Sequence, residues 1–194
     1  MKKVFLDDLN IENRSFKDDS LENEIFNYKV LENIKFENCK FYNLTFFHSH
    51  LKKIVFKHCE FINCIFDDSQ FNELSFTDCK IMSLSLEKCK INKMNINETF
   101  INNVDMKNVK YENSLIKISK VVGSSYFDSI LKNLDYNYSE LDEFNYFNTK
   151  VSNSKFYTSK LKDMDINFKD FEGSEFSNLQ ILDIVINQGI DIKE

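Results

Sequence analysis

Between Ile34 and Cys89 the chain reads as consecutive pentads: IKFEN, CKFYN, LTFFH, SHLKK, IVFKH, CEFIN, CIFDD, SQFNE, LSFTD, CKIMS and LSLEK. The middle residue of every pentad, here called its centre, is Phe, Leu or Ile. A spacing of five fits neither the 3.6-residue period of an amphipathic helix nor the two-residue alternation of a strand. The stretch is therefore a five-residue repeat, and its function has to be sought among repeat proteins.

The same register continues along nearly the whole chain. Every fifth residue from Leu6 to Ile186 is apolar or aromatic, which is 37 of 37 positions. With 42% of the chain hydrophobic, chance would give this result with a probability on the order of 10⁻¹⁴. No insertion shifts the register, so we expect a single domain without a linker.

A second period, of ten residues, lies on top of the first. The residue two before the centre is Cys, Ser or Thr at twelve of the thirteen positions from Cys39 to Ser159 whose numbers end in 9, and Val109 is the exception. Where the number ends in 4 this residue is usually large, as in Ile34, Leu44 and Leu74. Both positions should point inward, with small residues on one wall of the interior facing large residues on another.

This pattern resembles the pentapeptide-repeat family. The resemblance implies an all-β fold, a right-handed, four-sided β-helix with one pentad on each side and about nine coils. The family's usual signature is degenerate here, because Phe replaces Leu at many centres and the chain contains no Ala. The resemblance therefore depends on the unbroken register and on the column of Cys, Ser and Thr.

The ends of the register depart from the pattern, which divides the single domain, residues 1–194, into three parts. In residues 1–33 the inward positions carry Arg14, Asp19, Glu24 and Lys29. Burying unpaired charges is costly, so we expect degenerate capping coils there. Residues 34–176 form the regular coils, and residues 177–194 form a C-terminal cap and dimerisation tail.

The C-terminal tail admits two interpretations. The register continues through Ile181 and Ile186, which favours a last coil, whereas Ser177 is a typical helix N-cap and Gly189 a typical residue after a C-cap. A helix over 178–188 would be followed by a short strand, Ile190–Ile192. The tail resembles that of the Qnr-like pentapeptide-repeat proteins, which implies a dimer interface, and five residues are its candidates: Leu179, Leu182, Val185, Ile190 and Ile192.

Composition excludes several classes of protein. The net charge of −6 argues against a nucleic-acid-binding surface. Proline is absent and only three glycines occur, so Asn and Asp must make most of the turns.

The N-terminus lacks the uninterrupted apolar segment of a signal peptide, and no stretch is long enough to span a membrane. Five cysteines without CxxC spacing favour a reducing cytoplasm over a disulfide framework.

Residues that could carry chemistry do not form a recognisable constellation. The sequence contains no phosphate-binding glycine loop, nucleophile elbow or HExxH motif. His48 and His50 would straddle one corner of a coil while His58 lies two sides further on, so solvated corners are favoured over a metal site. The five cysteines occupy inward positions, as small apolar fillers. We expect no catalytic residue, no cofactor and no metal, and therefore no enzyme.

Function must then lie on the outer faces. Residues 134–194 carry 6 basic and 12 acidic side chains, whereas the rest of the chain is balanced. The resemblance to Qnr-like proteins implies a DNA mimic that binds DNA gyrase or topoisomerase IV, in connection with quinolone or toxin resistance. The alternative is a β-helical interaction scaffold for another protein. The candidate partner-binding residues are two outward apolar ladders and four acidic side chains: Tyr42, Ile62, Met82, Phe127, Phe147, Glu140, Asp142, Glu143 and Asp163.

Overall fold

Parallel strands stacked every twenty residues make up most of the computed structural model, which describes residues 1–164 and 166–191. In chain order the strands are β1 (Asn10–Lys17), β2 (Ser20–Glu22), β3 (Val30–Glu37), β4 (Lys40–Tyr42), β5 (His50–Lys57), β6 (Glu60–Ile65), β7 (Gln70–Thr77), β8 (Lys80–Ser85) and β9 (Lys90–Asn97). They continue with β10 (Phe100–Lys107), β11 (Lys110–Lys117), β12 (Lys120–Val122), β13 (Ser125–Phe127), β14 (Ile130–Asp135), β15 (Glu140–Asp142), β16 (Asn145–Phe147), β17 (Lys150–Ser152) and β18 (Lys160–Lys162). Helix α1 (Lys2–Asp7) precedes them, and a 3₁₀ turn (Phe168–Asp170) and helix α2 (Asn178–Asn187) follow.

The strands form two parallel sheets. One contains eight strands in the order β1-β3-β5-β7-β9-β11-β14-β17, and the other contains ten. Residue n pairs with residue n + 20 throughout, as Phe36 does with Phe56 and Phe56 with Phe76. Four pentads therefore make one coil, which confirms the predicted four-sided β-helix. We number the faces by their centres: face 1 carries 11, 31 and so on to 171, face 2 carries 16 to 176, face 3 carries 21 to 161, and face 4 carries 26 to 166.

The corners between faces are built from left-handed residues. Twenty-nine non-glycine residues have positive φ, from Asn13 to Asp163, and each lies two positions after a centre. Asn and Asp tolerate this conformation best because their short side chains can hydrogen-bond locally. The corners thus explain why the chain can turn with three glycines and why Asn is abundant, as the sequence predicted.

The centres fill the lumen. Every centre from Ile11 to Phe176 is buried or half-buried, and phenyl rings stack along the axis, with ring centroids of Phe41 and Phe61 4.6 Å apart. Beyond Phe76 the centres are mostly aliphatic. An apolar void of about 60 Å³ lies in the lumen, lined by side chains from Leu51 to Phe144 that include the phenyl rings of Phe56 and Phe76. The side chains therefore do not fill the lumen completely along this stretch.

The small inward column has a hydrogen-bonding role in addition to its size. Ser49 N–H donates to Ser69 Oγ (3.0 Å), and Ser69 Oγ–H donates to the Phe46 carbonyl (3.2 Å). The same contacts link Thr99, Ser119 and Ser139. At these corners the strand ends, so a side chain from the next coil satisfies a backbone N–H that the sheet does not pair.

The open N-terminal end of the lumen is closed by helix α1. Phe5, with 1% of its surface exposed, packs against the rings of Phe16 and Phe26 at 5.8 and 5.5 Å. Lys29 Nζ donates to the Asp8 carbonyl (2.6 Å) at the helix end. Because helix α1 occupies the first residues, the first coil starts only at Asn10. The rod therefore has eight full coils, whereas the sequence predicted about nine. Leu6, a centre in the sequence register, is consequently exposed.

Helix α2 closes the other end of the rod, which decides between the two interpretations of the tail. Ser177 caps the helix in a capping box with Gln180, and Gly189 follows the C-cap with φ of +81°. Gln180 Nε2 donates to the Phe156 and Ser159 carbonyls, both at 2.7 Å. A polar side chain from the helix thus satisfies the outermost carbonyls of the last coil. Ile181 and Ile186, which would continue the register, lie exposed on the helix.

The predicted strand after the helix is not formed at Ile190 and Asp191. Its last residue, Ile192, lies outside the described residues. No helix in the described ranges has the length and apolar character needed to cross a membrane.

Candidate interaction surfaces

The apolar ladder on face 3 is partly covered by its own neighbours. Tyr42 pairs with Ile62 and Ile62 with Met82 in successive coils, as predicted, and all three side chains are half-buried. The Tyr42 hydroxyl donates to Glu60 Oε2 (2.5 Å), and this contact raises the pKa of Tyr42 to about 12. Side chains packed in this way stabilise the sheet surface from coil to coil.

The aromatic pair on face 4 is more accessible. The rings of Phe127 and Phe147 lie 6.0 Å apart, and 67% of the surface of Phe147 is exposed. Phe47 occupies the same column, but Asp67, Glu87 and Lys107 lie between it and the pair. The structure therefore separates the aromatic column into the half-buried Phe47 near the N-terminus and a pair near the C-terminus in which Phe127 is half-buried and Phe147 is exposed.

The four acidic candidates lie together on face 3, at its C-terminal end. Lysines are interleaved with them: Lys162 Nζ lies 3.2 Å from Asp142 and 3.3 Å from Asp163, and Lys120 lies 3.6 Å from Glu140. Glu143 occupies an exposed corner. The negative charge of this surface is therefore largely compensated within the surface itself.

Sequence reasoning missed this compensation, although the signal was present. From the second coil onward, the residue before each face 3 centre is charged except at Phe100, and these residues are Lys40, Glu60, Lys80, Lys120, Glu140 and Lys160. Residues twenty apart are neighbours in this fold, so this alternation places opposite charges side by side. Exposed pairs of this kind contribute little to stability, on the order of 0–1 kcal/mol, but they cancel the surface potential.

Helix α2 presents an apolar face to solvent. Only Gln180 and Ile184 are buried against the last coil, whereas Leu179 is 73% exposed, Leu182 is 40% exposed and Val185 is half-buried. Further exposed residues continue this face: Ile181, Ile186 and Ile190. A groove of about 570 Å³ lies beside it, lined by Tyr157, Ser174, Glu175, Phe176, Ser177 and Ile181.

The residues that could have carried chemistry are placed apart or buried. The His48 ring stacks on Tyr28 at 5.2 Å, and His58 Nδ1 lies 2.9 Å from Asp78. Across the described ranges no group of three His, Cys, Asp or Glu side chains is arranged to hold a metal ion. The five cysteines are free and buried, and burial raises the pKa of Cys64 to about 11 and that of Cys89 to about 12.

Comparison with solved structures finds the same architecture in proteins of low sequence identity. Full-length QnrB1, a plasmid-mediated fluoroquinolone resistance protein, aligns over 93% of this chain and 100% of its own, with 13% identity and a TM-score of 0.53. HetL from the cyanobacterium Nostoc sp. strain PCC 7120, a pentapeptide-repeat protein involved in heterocyst differentiation regulation, aligns over 88% of this chain and 85% of its own, with 10% identity and a TM-score of 0.59.

No protein-family model matches the sequence, and no curated protein matches it. At identities of 10–13% the structural likeness defines the fold and not the activity. The chain thus has the right-handed, four-sided pentapeptide-repeat β-helix seen in QnrB1 and HetL, as the sequence predicted.

Proposed function

We propose that this protein is a non-catalytic protein-interaction scaffold that acts through its C-terminal end. The observation that carries the proposal is the apolar face of α2. The helix needs Gln180 and Ile184 to cover the last coil, yet it also holds Leu179 and Leu182 exposed. Contiguous apolar surface that serves no internal packing is typical of a contact surface.

The occupant of this surface in our proposal is the α2 face of a second copy, which makes the protein a homodimer joined end to end. Leu179, Leu182 and Val185 would form the centre of the interface, and Ile190 its edge. Such a contact is isologous, because the same patch is used by both subunits. The groove beside Tyr157 and Ile181 gives the partner helix a place to insert side chains.

Sedimentation analysis of the Leu182→Glu variant tests the dimer. In about 500 mM salt, where charges are screened, the unaltered chain should sediment at twice 23.1 kDa, and the variant as a single chain, because a carboxylate in an apolar interface has no partner. Asn187→Glu, on the same helix at an exposed position, is the matched control and should remain dimeric. A single-chain mass for the unaltered protein at about 100 μM would rule the dimer out.

A second contact surface is proposed at Phe127 and Phe147, since aromatic side chains are enriched in the energetic centres of interfaces. A Phe147→Ser variant should keep the stability of the parent, because the ring is exposed, and should lose a bound partner. Ile62→Ser is the comparison. We expect it to destabilise the sheet, because Ile62 packs between Tyr42 and Met82. A partner that binds the Phe147 variant unchanged would exclude this surface.

The second candidate function is binding to DNA gyrase or topoisomerase IV by imitation of duplex DNA. It is supported by the rod shape, by the acidic surplus of residues 134–194 and by the likeness to QnrB1 along the whole of that chain. The lysines interleaved with Glu140, Asp142 and Asp163 count against it, because a DNA mimic needs uncompensated negative charge.

Gyrase supercoiling with and without ciprofloxacin separates the two functions. A mimic should inhibit supercoiling or relieve the drug's inhibition, and Lys120→Glu/Lys162→Glu should strengthen the effect by removing the compensating cations. A control variant, Lys17→Glu/Lys35→Glu on face 2 near the N-terminus, should act like the parent. If neither the parent nor the lysine variant changes supercoiling at tens of micromolar protein, gyrase is not the target.

A further inference from the structure

Faces 1 and 4, which share an edge of the rod, carry opposite charges. Between residues 50 and 153 face 1 presents seven lysines and, within the same stretch, two glutamates, Glu73 and Glu112. The lysines are Lys52, Lys53, Lys90, Lys93, Lys110, Lys132 and Lys150, of which Lys52, Lys93 and Lys110 form ion pairs on the same face with Glu32, Glu73 and Glu112. Between residues 65 and 128 face 4 presents five acidic residues against Lys88 and Lys107. These are Asp67, Asp68, Glu87, Asp105 and Asp128.

The carboxylates on face 4 crowd one another. Asp67 Oδ1 accepts hydrogen bonds from Ser85 Oγ (2.6 Å) and from the Glu87 backbone N–H (2.9 Å), which fixes it beside Glu87. Partial burial raises the pKa of Asp105, and the charges of Glu87 and Asp67 raise it further, while Lys107 opposes them. This surface therefore has a local excess of negative charge that its own lysines do not balance.

The two faces also match one another coil by coil. In the coil of residues 50–69, Lys52 and Lys53 on face 1 correspond to Asp67 and Asp68 on face 4. In the coil of residues 90–109, Lys90 and Lys93 correspond to Asp105, which shares face 4 of this coil with Lys107.

The apolar outward residues follow the same correspondence. In the coil of residues 130–149, exposed Ile130 on face 1 corresponds to exposed Phe147 on face 4, and in the coil of residues 30–49 Val30 corresponds to Phe47. Like charges oppose each other in the coil of residues 70–89, where Glu73 meets Glu87, and in the coil of residues 110–129, where Glu112 meets Asp128. In the other coils between residues 30 and 149, opposite charges or apolar groups fall at equal heights on the two faces.

We propose that four copies of this chain associate side by side into a ring, with face 1 of each copy against face 4 of the next. Faces 1 and 4 meet at roughly a right angle, so each copy is rotated by about a quarter turn from its neighbour and the contact closes after four. A closed ring has no shift along its axis. Each coil therefore meets the corresponding coil of the next copy, which is the alignment in which the charges and the apolar groups match.

Light scattering coupled to size exclusion tests the ring. In about 20 mM salt the Leu182→Glu variant, which lacks the end-to-end contact proposed above, should have four times the mass of one 23.1 kDa chain, and the parent should have eight times that mass, because the end-to-end contact joins two rings. Both masses should fall in about 500 mM salt, where charges are screened beyond a few ångströms. The Leu182→Glu variant should keep the salt-dependent ring, which separates the side-by-side contact from the end-to-end contact proposed above. A mass at low salt that never exceeds two chains overturns the proposal.

Reversing the charge of one face at a time gives the sharper test. Lys53→Glu/Lys90→Glu/Lys132→Glu leaves four lysines and five glutamates on this stretch of face 1 and makes it acidic. Asp68→Lys/Asp105→Lys makes face 4 basic, so each variant alone should stay out of the ring. Mixed in equal amounts they should form rings of two and two, because every contact then joins an acidic face to a basic face. Native mass spectrometry distinguishes these mixed rings from rings of one variant.

Both variants are compatible with folding, and a control accompanies them. Lys93 and Glu98 already occupy left-handed corners, so the corner positions 53 and 68 accept Glu and Lys, and circular dichroism verifies the fold. Lys35→Glu/Lys117→Glu on face 2 should assemble as the parent does. Rings that form from either face variant alone, or a mixture that forms none, would show that faces 1 and 4 do not meet.

Discussion

At the residue scale, the corner positions explain the unusual composition of the chain. Most corners place a side chain at a φ between +48° and +60°, a conformation that costs most residues about 1–2 kcal/mol and that Asn and Asp adopt most readily. Asn33 and Asn13, or Asn43 and Asn23, also hydrogen-bond across coils at 2.6 and 2.8 Å. Asn in this protein is therefore a structural residue of the turn, and its abundance follows from the shortage of glycine.

Ile118 is the corner residue that fits least. It is β-branched, it has a φ of +48°, and 52% of its surface is exposed. Ile118→Asn should therefore stabilise the protein by about 1 kcal/mol, measured as a higher urea midpoint at constant slope. Ile130→Asn, at an equally exposed strand position, should not stabilise it. Equal effects of the two substitutions would mean that the corner is not strained.

At the element scale, the ten-residue period results from where the strands end. The sequence revealed the small column and attributed it to the widths of the lumen walls. The structure adds that Ser, Thr and Cys in this column bind backbone groups of the previous coil, which no pattern of sizes could reveal. The α2 helix was visible through Ser177 and Gly189, whereas the six-residue helix α1 has no side-chain cap that the sequence could have shown.

Ser69 tests the role of the small column. Ser69→Ala should lower the free energy of unfolding by about 1–3 kcal/mol, because it leaves the buried Ser49 N–H without an acceptor. Ser69→Cys should cost less, because Cys79 already accepts from Cys59 N–H at 3.4 Å in the same kind of position. Ser75→Ala, on the outer surface, is the control. The hydrogen bond is unimportant if alanine and cysteine at position 69 give the same urea midpoint.

At the scale of the whole molecule, the register together with the resemblance to the pentapeptide-repeat family was sufficient to predict a four-sided rod, because the family places one pentad on each side and so twenty residues in each coil. The outer surfaces were predicted less well. Tyr42, Ile62 and Met82 stack as expected, but their half-burial depends on neighbours that the column does not include. The sequence correctly showed a surplus of acidic residues in residues 134–194. The ion pairs that Glu140 and Asp142 form with Lys120 and Lys162 became visible only in the three-dimensional structure.

The buried cysteine and tyrosine side chains of the lumen should make the protein less stable at alkaline pH. Burial raises the pKa of Cys64 to about 11 and of Cys89 to about 12, and it raises the pKa of Tyr126, Tyr136 and Tyr146 well above its ordinary value. In the unfolded chain these groups ionise near pH 9.0 and 10.0. Only the unfolded state then loses protons as the pH rises above about 9, so the free energy of unfolding should fall.

Urea unfolding between about pH 7 and 10.5 measures this dependence. The midpoint should be flat at first and should decline above about pH 9. A Tyr126→Phe/Tyr146→Phe variant removes two of the groups and should decline less steeply than the parent. A parent midpoint that does not change up to pH 10.5 would mean that the lumen groups ionise as easily in the folded state as in the unfolded state.

The twenty-residue pairing of the strands has a consequence for how such a chain can change in length. Inserting twenty residues adds one coil, lengthens the rod by about 4.8 Å and leaves every downstream residue on its original face. Inserting ten residues keeps small and large inward positions in order but moves everything downstream to the opposite face. Inserting five exchanges the small and large positions as well. Gene duplication in steps of one coil can therefore lengthen this protein, whereas any shorter step changes which surface its partners meet.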